Sequence, residues 1–426
     1  MKPASRLFTR LIITTLLLPL LHGAGTLAQE WHRFRGPNGC GISEAATVPA
    51  TWTAEDYNWK VKLPGIGHSS PAVWEDRIFL TSAEDKGRRR IVVCLSTADG
   101  SILWSKTFDS TTHKKHPRNS FASPSPAVDA KRVYVSWSVP KRLTLMALSH
   151  DGSVVWNRDL GPYKSQHSCG TSPIVYGDMV ILGDDQDGAS SLIAVDARTG
   201  ATRWRTERNS ERVAYSTPFV YRGDTKPQLI FASGAHGLSS IDPASGRTLW
   251  ELDVFDKRTV SSPQAIDGLI FGTCGSGAGG NYLAAVEPGN LDSSRPPRLR
   301  YKITRNAPYV PTPIAKNGRI FLWADNGVVS CLRANDGKLI WRKRVGGTYS
   351  GSPICVRDRL YCISDGGDAV VLAASDQYQL FGRHSLGEPS RSTPAVAGGV
   401  MYLRTYAHLF SLGGHEAVAR RPNKAR

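Results

Sequence analysis

"AVDARTGATRW" (residues 194–204) decides how the rest of the chain reads. An apolar run meets an aspartate, a small polar turn with a glycine, three more residues and a tryptophan. The same phrase returns as "ADGSILW" (98–104), "HDGSVVW" (150–156), "ASGRTLW" (244–250) and "NDGKLIW" (335–341). A catalytic motif is needed once, so a phrase written this often is structural. Gly100, Gly152, Gly200, Gly246 and Gly337 supply the positive φ of a tight turn between two strands. The indole that follows each turn offers a large flat surface to bury against a neighbouring sheet.

A second phrase sets the count. "SSPAV", "SPSPAV", "TSPIV", "STPFV", "SSPQAI", "PTPIA", "GSPIC" and "STPAV" place prolines at 71, 126, 173, 218, 263, 313, 353 and 394, which are 40 to 55 residues apart. Within each repeat, runs such as "PIVYGDMVILGD" make a hairpin signal of two apolar strands split by a polar turn. A third strand follows, then the glycine turn and the tryptophan strand. Proline at the start of a first strand removes no interior ladder donor. The period is that of propeller blades, and there are eight copies. The spacing therefore predicts an all-β, eight-bladed propeller of four-stranded antiparallel blades. The last copy stops before its tryptophan strand, and Trp59 stands in such a strand ahead of the first proline. The segment Trp59–Leu63 is expected to pair near Leu409–Leu412 and close the ring, which removes a sheet edge. Trp59, Trp104, Trp156, Trp204, Trp250, Tyr301, Trp341 and Phe381 are the expected blade-docking side chains.

The ends of the chain differ from this repeat. Lys2, Arg6 and Arg10 precede "LIITTLLLPLL" (11–21) and a run of small residues, the pattern of an export leader over 1–28 cut near Ala28. The apolar run is short for a membrane span. The expected division is a leader (1–28), an N-terminal extension (29–58), the propeller (59–414) and a basic tail (415–426). Net charge is +17, about +14 once the three leader cations are set aside. The cations are scattered without an arginine-rich helix, which together with export excludes a nucleic-acid partner. The seven cysteines contain no CxxC or zinc spacing. Cys94 and Cys331 occupy a repeat position that Ala147, Ala194, Ser240 and Ala285 fill elsewhere, and read as small buried side chains. Cys355 and Cys362 are the one candidate disulfide, but in a hairpin Cys355 faces Leu360 and lies only diagonal to Cys362.

"AVDARTGATRW" and "SIDPASGRTLW" resemble the tryptophan motif of the pyrroloquinoline-quinone (PQQ) repeat propellers, and the resemblance runs over about 52–414. "WHRFRGPNGCG" (31–41) resembles the leader-adjacent segment of exported bacterial members. One branch of that family implies a quinoprotein dehydrogenase holding PQQ and calcium on the propeller axis. That branch often carries adjacent cysteines, which this chain lacks, and its axis loops supply oxygen ligands that are sparse here. The other branch resembles the propeller subunit of the outer-membrane β-barrel assembly machinery, which binds protein partners. That subunit is usually lipid-anchored, whereas no cysteine stands at this cleavage point.

The loops joining successive blades should gather over a funnel. They place His68, Arg118, His167, Tyr215, Arg258, Tyr309, Tyr349 and Arg391 there, with His116, Lys114, Lys115, Arg212 and Arg305 beside them. A basic and aromatic funnel suits an anionic ligand or acidic segment. "HKKH" (113–116) lacks the glutamate of a zinc protease helix, and glycine-rich "CGSGAGGN" (274–281) lacks the lysine of a phosphate loop. It reads as a loop between the second and third strands of blade 5. No catalytic residue and no metal ligand are assigned. The expected protein is an exported, monomeric, non-enzymatic scaffold that binds a protein or polymer partner in the envelope, without a cofactor or membrane span. The alternatives are a PQQ/calcium-dependent dehydrogenase and a binder of a small anion in the funnel.

Overall fold

The computed structural model describes residues 30–414, apart from 224–225 and 291–293. The expected leader (1–28) and basic tail (415–426) lie outside the described residues. Blade 1 runs from centre to rim as Ala72–Trp74, Arg77–Glu84, Arg89–Ser96 and Ile102–Asp109, all antiparallel. The same order repeats, giving eight sheets among the described residues. The second and third strands are buried on both faces, which is why they read as unbroken apolar runs. The outer strands alternate, since one face meets the next blade and the other meets water.

Tyr57–Lys62 pairs antiparallel with His408–Gly413, with Trp59 opposite Ser411 and Val61 opposite Leu409, and supplies the outer strand of blade 8. Closure has a second part that the repeat had hidden. Ser70, Ser125, Ser172, Thr217, Ser262, Thr312, Ser352 and Thr393 each stand just before an anchoring proline. The backbone N–H of each donates to the hydroxyl of its counterpart on the next blade, at 2.8 to 3.3 Å. Thr393 N–H then reaches Ser70 Oγ at 3.1 Å and completes the circle. The following proline holds each of these residues extended.

Every blade but the seventh sets one aromatic side chain of its outer strand toward the next. Trp59, Trp104, Trp156, Trp204 and Trp341 donate their indole N–H to the carbonyls of Thr97, His150, Ala197, Pro243 and Ser375, all in the following blade's outer turn, at 2.7 to 3.1 Å. The Tyr301 hydroxyl donates to Ala334 in the same way. Trp250 departs and donates to Gln228 Oε1 of its own blade at 2.9 Å. Opposite these rings stand small residues, among them Cys94, Ala147, Ala194, Ser240, Ala285 and Cys331.

Blade 7 corrects the expectation for Phe381. Leu372 pairs with Leu380 where Leu332 of blade 6 pairs with Leu339, a turn longer by one residue, so Gly382 faces Val371 where blade 6 sets Trp341 against Cys331. His384 covers Gly382, and Trp52 stacks on it with ring centroids 3.7 Å apart. Phe381 is left half-buried at the edge of this cluster. The reason is topological, because blade 8 borrows its outer strand from the N-terminus and has no outer turn to cover an indole. The chain leading to that strand runs through the gap instead, with Val48 and Pro49 carbonyls accepting from Arg359 and Tyr361 at 3.3 and 3.0 Å.

All seven cysteines are free thiols, and Cys355 does face Leu360. Burial raises the thiols of Cys94, Cys331 and Cys355 to about 12 and that of Cys169 to about 11. Only Cys40 is partly exposed. A maleimide reagent at neutral pH is expected to label one thiol per native molecule quickly and the others only on unfolding. Rapid labelling of two or more, read by mass spectrometry, would contradict this packing. Among the described residues no helix is long and apolar enough to cross a membrane.

Candidate functional site

The loops between blades and the turns between second and third strands meet at one end of the axis around a cavity of about 840 Å³. Every member of the Ser/Thr circle but Ser262 lines it, as does Phe34. Phe34 belongs to 31–43, which threads across the far end of the axis. Ile42–Ser43 pairs parallel with Ile354–Val356 and gives blade 7 a fifth, innermost strand. Arg33 Nη2 donates to Pro218 O at 2.6 Å, and Asn38 exchanges two bonds with Val220 at 2.8 Å. Arg35, fully buried, reaches Pro353 O, Pro313 O and Thr312 O at 2.7, 2.9 and 3.3 Å. The extension is therefore an axial plug that makes the funnel blind.

Of the anticipated funnel residues, His68, Arg118, His167, Tyr215, Arg258, Tyr309 and Arg391 line this cavity, as does His116. Tyr349 does not, and this corrects the reading. It is 1% exposed and packs edge-on against Trp323 at 5.3 Å, because its loop turns the ring into blade 6. Lys114, Lys115, Arg212 and Arg305 also lie off the wall. The "HKKH" histidines diverge. His113 Nε2 meets Ser168 Oγ at 3.0 Å, whereas the His116 ring lies edge-on to His167 at 4.7 Å.

The charged groups converge through loops of several blades. Arg258 Nη1 lies 2.9 Å from His167 Nε2, and Arg391 Nη1 donates to Pro117 O at 3.3 Å, next to Arg118. Loop 113–119 thus bridges the loops that carry His167 and Arg391. Burial, then Arg391, Arg404 and Lys115, holds the His68 imidazole down at about 3. Burial also lowers His116 and His167, assisted by Arg118 at the former and Arg258 at the latter. These rings are neutral at pH 7, so the fixed positive charge of the wall comes from the guanidinium groups.

Sequence reading missed Asn119, Asp325 and the glycine-rich loop as wall members. Asn119 Nδ2 donates to His167 O at 2.7 Å and fixes that loop. "CGSGAGGN" does join the second and third strands of blade 5, and Ser276, Gly277, Gly279 and Gly280 face the cavity. The available signal was topological, since turns between second and third strands end on the same side as the blade-to-blade loops.

A family model described as outer membrane protein assembly factor BamB matches residues 51–290 and 304–412. The chain belongs to the PQQ_2 propeller family. Among solved PQQ_2-like folds, BamB from Moraxella catarrhalis superposes with a TM-score of 0.57 at 15% identity, covering 84% of this chain and 98% of that one. Quinohemoprotein alcohol dehydrogenase from Comamonas testosteroni gives a TM-score of 0.63 at 12% identity, over 93% of this chain and 82% of that one. At these identities the likeness is one of fold. A tetrathionate hydrolase from Acidithiobacillus ferrooxidans is 21% identical over 227 residues, which are 50% of this chain and 42% of that relative, so the match spans less than half of its length.

The donor set of the PQQ_2 funnel in this chain does not fit calcium, which takes about six to eight oxygen ligands with several carboxylates. Asp325 is the one carboxylate among the described wall residues. Its two oxygens accept from Tyr309 N–H at 2.7 Å and Val310 N–H at 3.1 Å. Asp365, just off the wall, sits 3.9 Å from Arg391 Nε. Among the described residues no three His, Cys, Asp or Glu side chains gather to hold a metal.

Proposed function

We propose that this protein is an exported, non-enzymatic propeller of the cell envelope that holds an acidic segment of a protein or polymer partner in its blind funnel. The observation that carries the reading is the convergence of Arg118, Arg258 and Arg391, with three neutral imidazoles, on one cavity whose one carboxylate among the described wall residues is already satisfied by backbone N–H groups. Among the described residues Arg118 and Arg258 have no carboxylate partner and Arg391 has only Asp365 at 3.9 Å, and guanidinium groups placed so recognise carboxylates, sulfates or phosphates through charged, paired hydrogen bonds. The leader at 1–28 supports export, and the BamB-described family model supports a protein partner.

The cavity volume favours a second reading, a small oxyanion, since about 300–1,000 Å³ is the range of small-molecule sites. The name of the tetrathionate hydrolase supports a sulfur dianion as the first probe. Calorimetry with a polyglutamate peptide and with tetrathionate separates the two. For whichever binds, Arg258→Ser with Arg391→Ser is expected to weaken affinity about 10- to 100-fold, since a hydrogen bond to a charged group is worth about 1.5–3 kcal/mol. Affinity should also rise from pH 7.5 to 5.5. An anion stabilises the imidazolium, so a ring whose pKa is lowered in the free protein takes up a proton on binding, while glutamate stays ionised. His167→Gln should flatten that slope. Unchanged affinity in the double arginine variant would refute the funnel as the binding site.

A further inference from the structure

The excess charge of the chain is concentrated on two neighbouring blades. Residues 294–305 and 333–344 contain the outer strands of blades 5 and 6, Arg298–Ile303 and Leu339–Arg344. They hold ten cations and one carboxylate, Asp336. The other outer strands hold a smaller excess of cations: Tyr57–Lys62 has Lys60 and Lys62, Leu380–Ser385 has Arg383, and the rest are mixed or acidic. Ile102–Asp109 has Lys106 with Asp109, Val154–Asp159 has Arg158 with Asp159, and Thr248–Leu252 has Glu251. Glu287 engages Arg298 and Arg300, and Asp336 engages Arg333 and Lys338. Among the described residues Lys302, Arg342, Lys343 and Arg344 have no ion-pair partner.

The turn that leads into the blade 6 strand abuts the blade 5 strand. The Tyr301 ring and Ile303 lie against Gly337, the residue before Lys338. Leu299, Leu339 and Ile340 stand between the cations at 42, 48 and 39% exposure. Each strand is the outermost of its sheet, so one row of backbone donors and acceptors has no strand beyond it. Charge on such an edge protects against aggregation, but either sign serves that purpose. Concentration of one sign on adjoining edges, with aliphatic side chains between, is a recognition pattern.

We propose that the outer edges of blades 5 and 6 dock an acidic, extended segment of a partner protein, which adds as a strand along Leu339–Arg344. Main-chain bonds along the edge would give affinity, and alternate glutamate or aspartate side chains would meet the lysines and arginines. A peptide is favoured over a lipid surface because the edge presents backbone donors and acceptors, which lipid headgroups do not match in register. The site is separate from the funnel and rests on different residues.

The test uses the mature chain and a short fluorescent peptide that alternates Glu and Val. Binding at low salt, with slowed amide exchange confined to Leu339–Arg344 and its surroundings, is the expected result. Lys302→Glu with Lys343→Glu and Arg344→Glu should weaken binding by about 10-fold or more while leaving the melting transition in place. The funnel variant Arg258→Ser with Arg391→Ser should keep the exchange protection on blade 6, which distinguishes this site from the funnel. Equal binding by a peptide N-methylated at every residue would overturn strand addition, because no backbone N–H would remain to pair. Protection only at the funnel, binding to phosphatidylglycerol vesicles without binding to the peptide, or no binding would each overturn the proposal.

Discussion

Replacing Arg35 with alanine is expected to destabilise the folded chain by about 3–5 kcal/mol, the range for breaking a buried charged network from one side. The side chain is fully buried and links the axial plug to blades 6 and 7. Nη1 donates to Pro353 O and Thr312 O, Nη2 to Pro313 O at 2.9 Å and Cys40 O at 3.1 Å, and Nε to Gly39 O at 3.2 Å. Alanine would strand these acceptors in a place already closed to water, at about 1–3 kcal/mol for each one left unmet. Burial lowers the guanidinium to about 10, which still leaves it protonated at neutral pH. Arg35→Lys should rescue little, because one ammonium cannot span carbonyls on three segments. Chemical denaturation measures the loss, and amide exchange over 31–43 localises it. A cost below about 1 kcal/mol would mean that the plug adds little to the ring.

A second large effect is expected at the glycine turns. Gly246 has φ +72°, and a Cβ there would stand 2.6 Å from the Trp204 ring of the preceding blade. Gly246→Ala therefore combines left-handed backbone strain of about 1–2 kcal/mol with overpacking of about 1–3 kcal/mol. Gly177 separates these terms, since its φ is +60° but nothing lies within 4 Å of its would-be Cβ. Gly177→Ala should cost the strain alone. Trp204→Ala should cost about 3–5 kcal/mol, and adding Gly246→Ala to it should cost only about 1–2 kcal/mol more. Full additivity in that cycle, or equal costs for the two glycine variants in wild-type background, would show that the turn does not rest on the indole.

These glycines show what the repeat left open. The sequence pattern explains Gly246 by its backbone angle, yet the structure adds a second demand, the indole pressed against it. The docking aromatics were legible wherever the spacing held, from Trp104 to Trp341. Phe381 misled because the turn of blade 7, from Leu372 to Leu380, is one residue longer than that of blade 6, from Leu332 to Leu339, which puts Gly382 at the ring position. Trp52, which covers that junction with His384, lies outside the repeat and carries no periodic signal. For the funnel, blade-to-blade loops could be located from the strands that flank them. Tyr349 was misplaced because loop position fixes where a backbone goes and not which way a ring turns.

The amino-acid order alone determined the local and the periodic features: eight hairpin-bearing repeats, their turns, their buried strands and the displaced strand at Trp59. These depend on residues near one another in sequence, or on one spacing repeated many times. The tertiary structure alone decided the Ser/Thr circle, the plug of 31–43, the orientation of the wall residues and the pooled charge of blades 5 and 6. Each of these joins residues tens to hundreds of positions apart through single contacts. Closure of the ring sets those contacts, and no local preference of the chain encodes them.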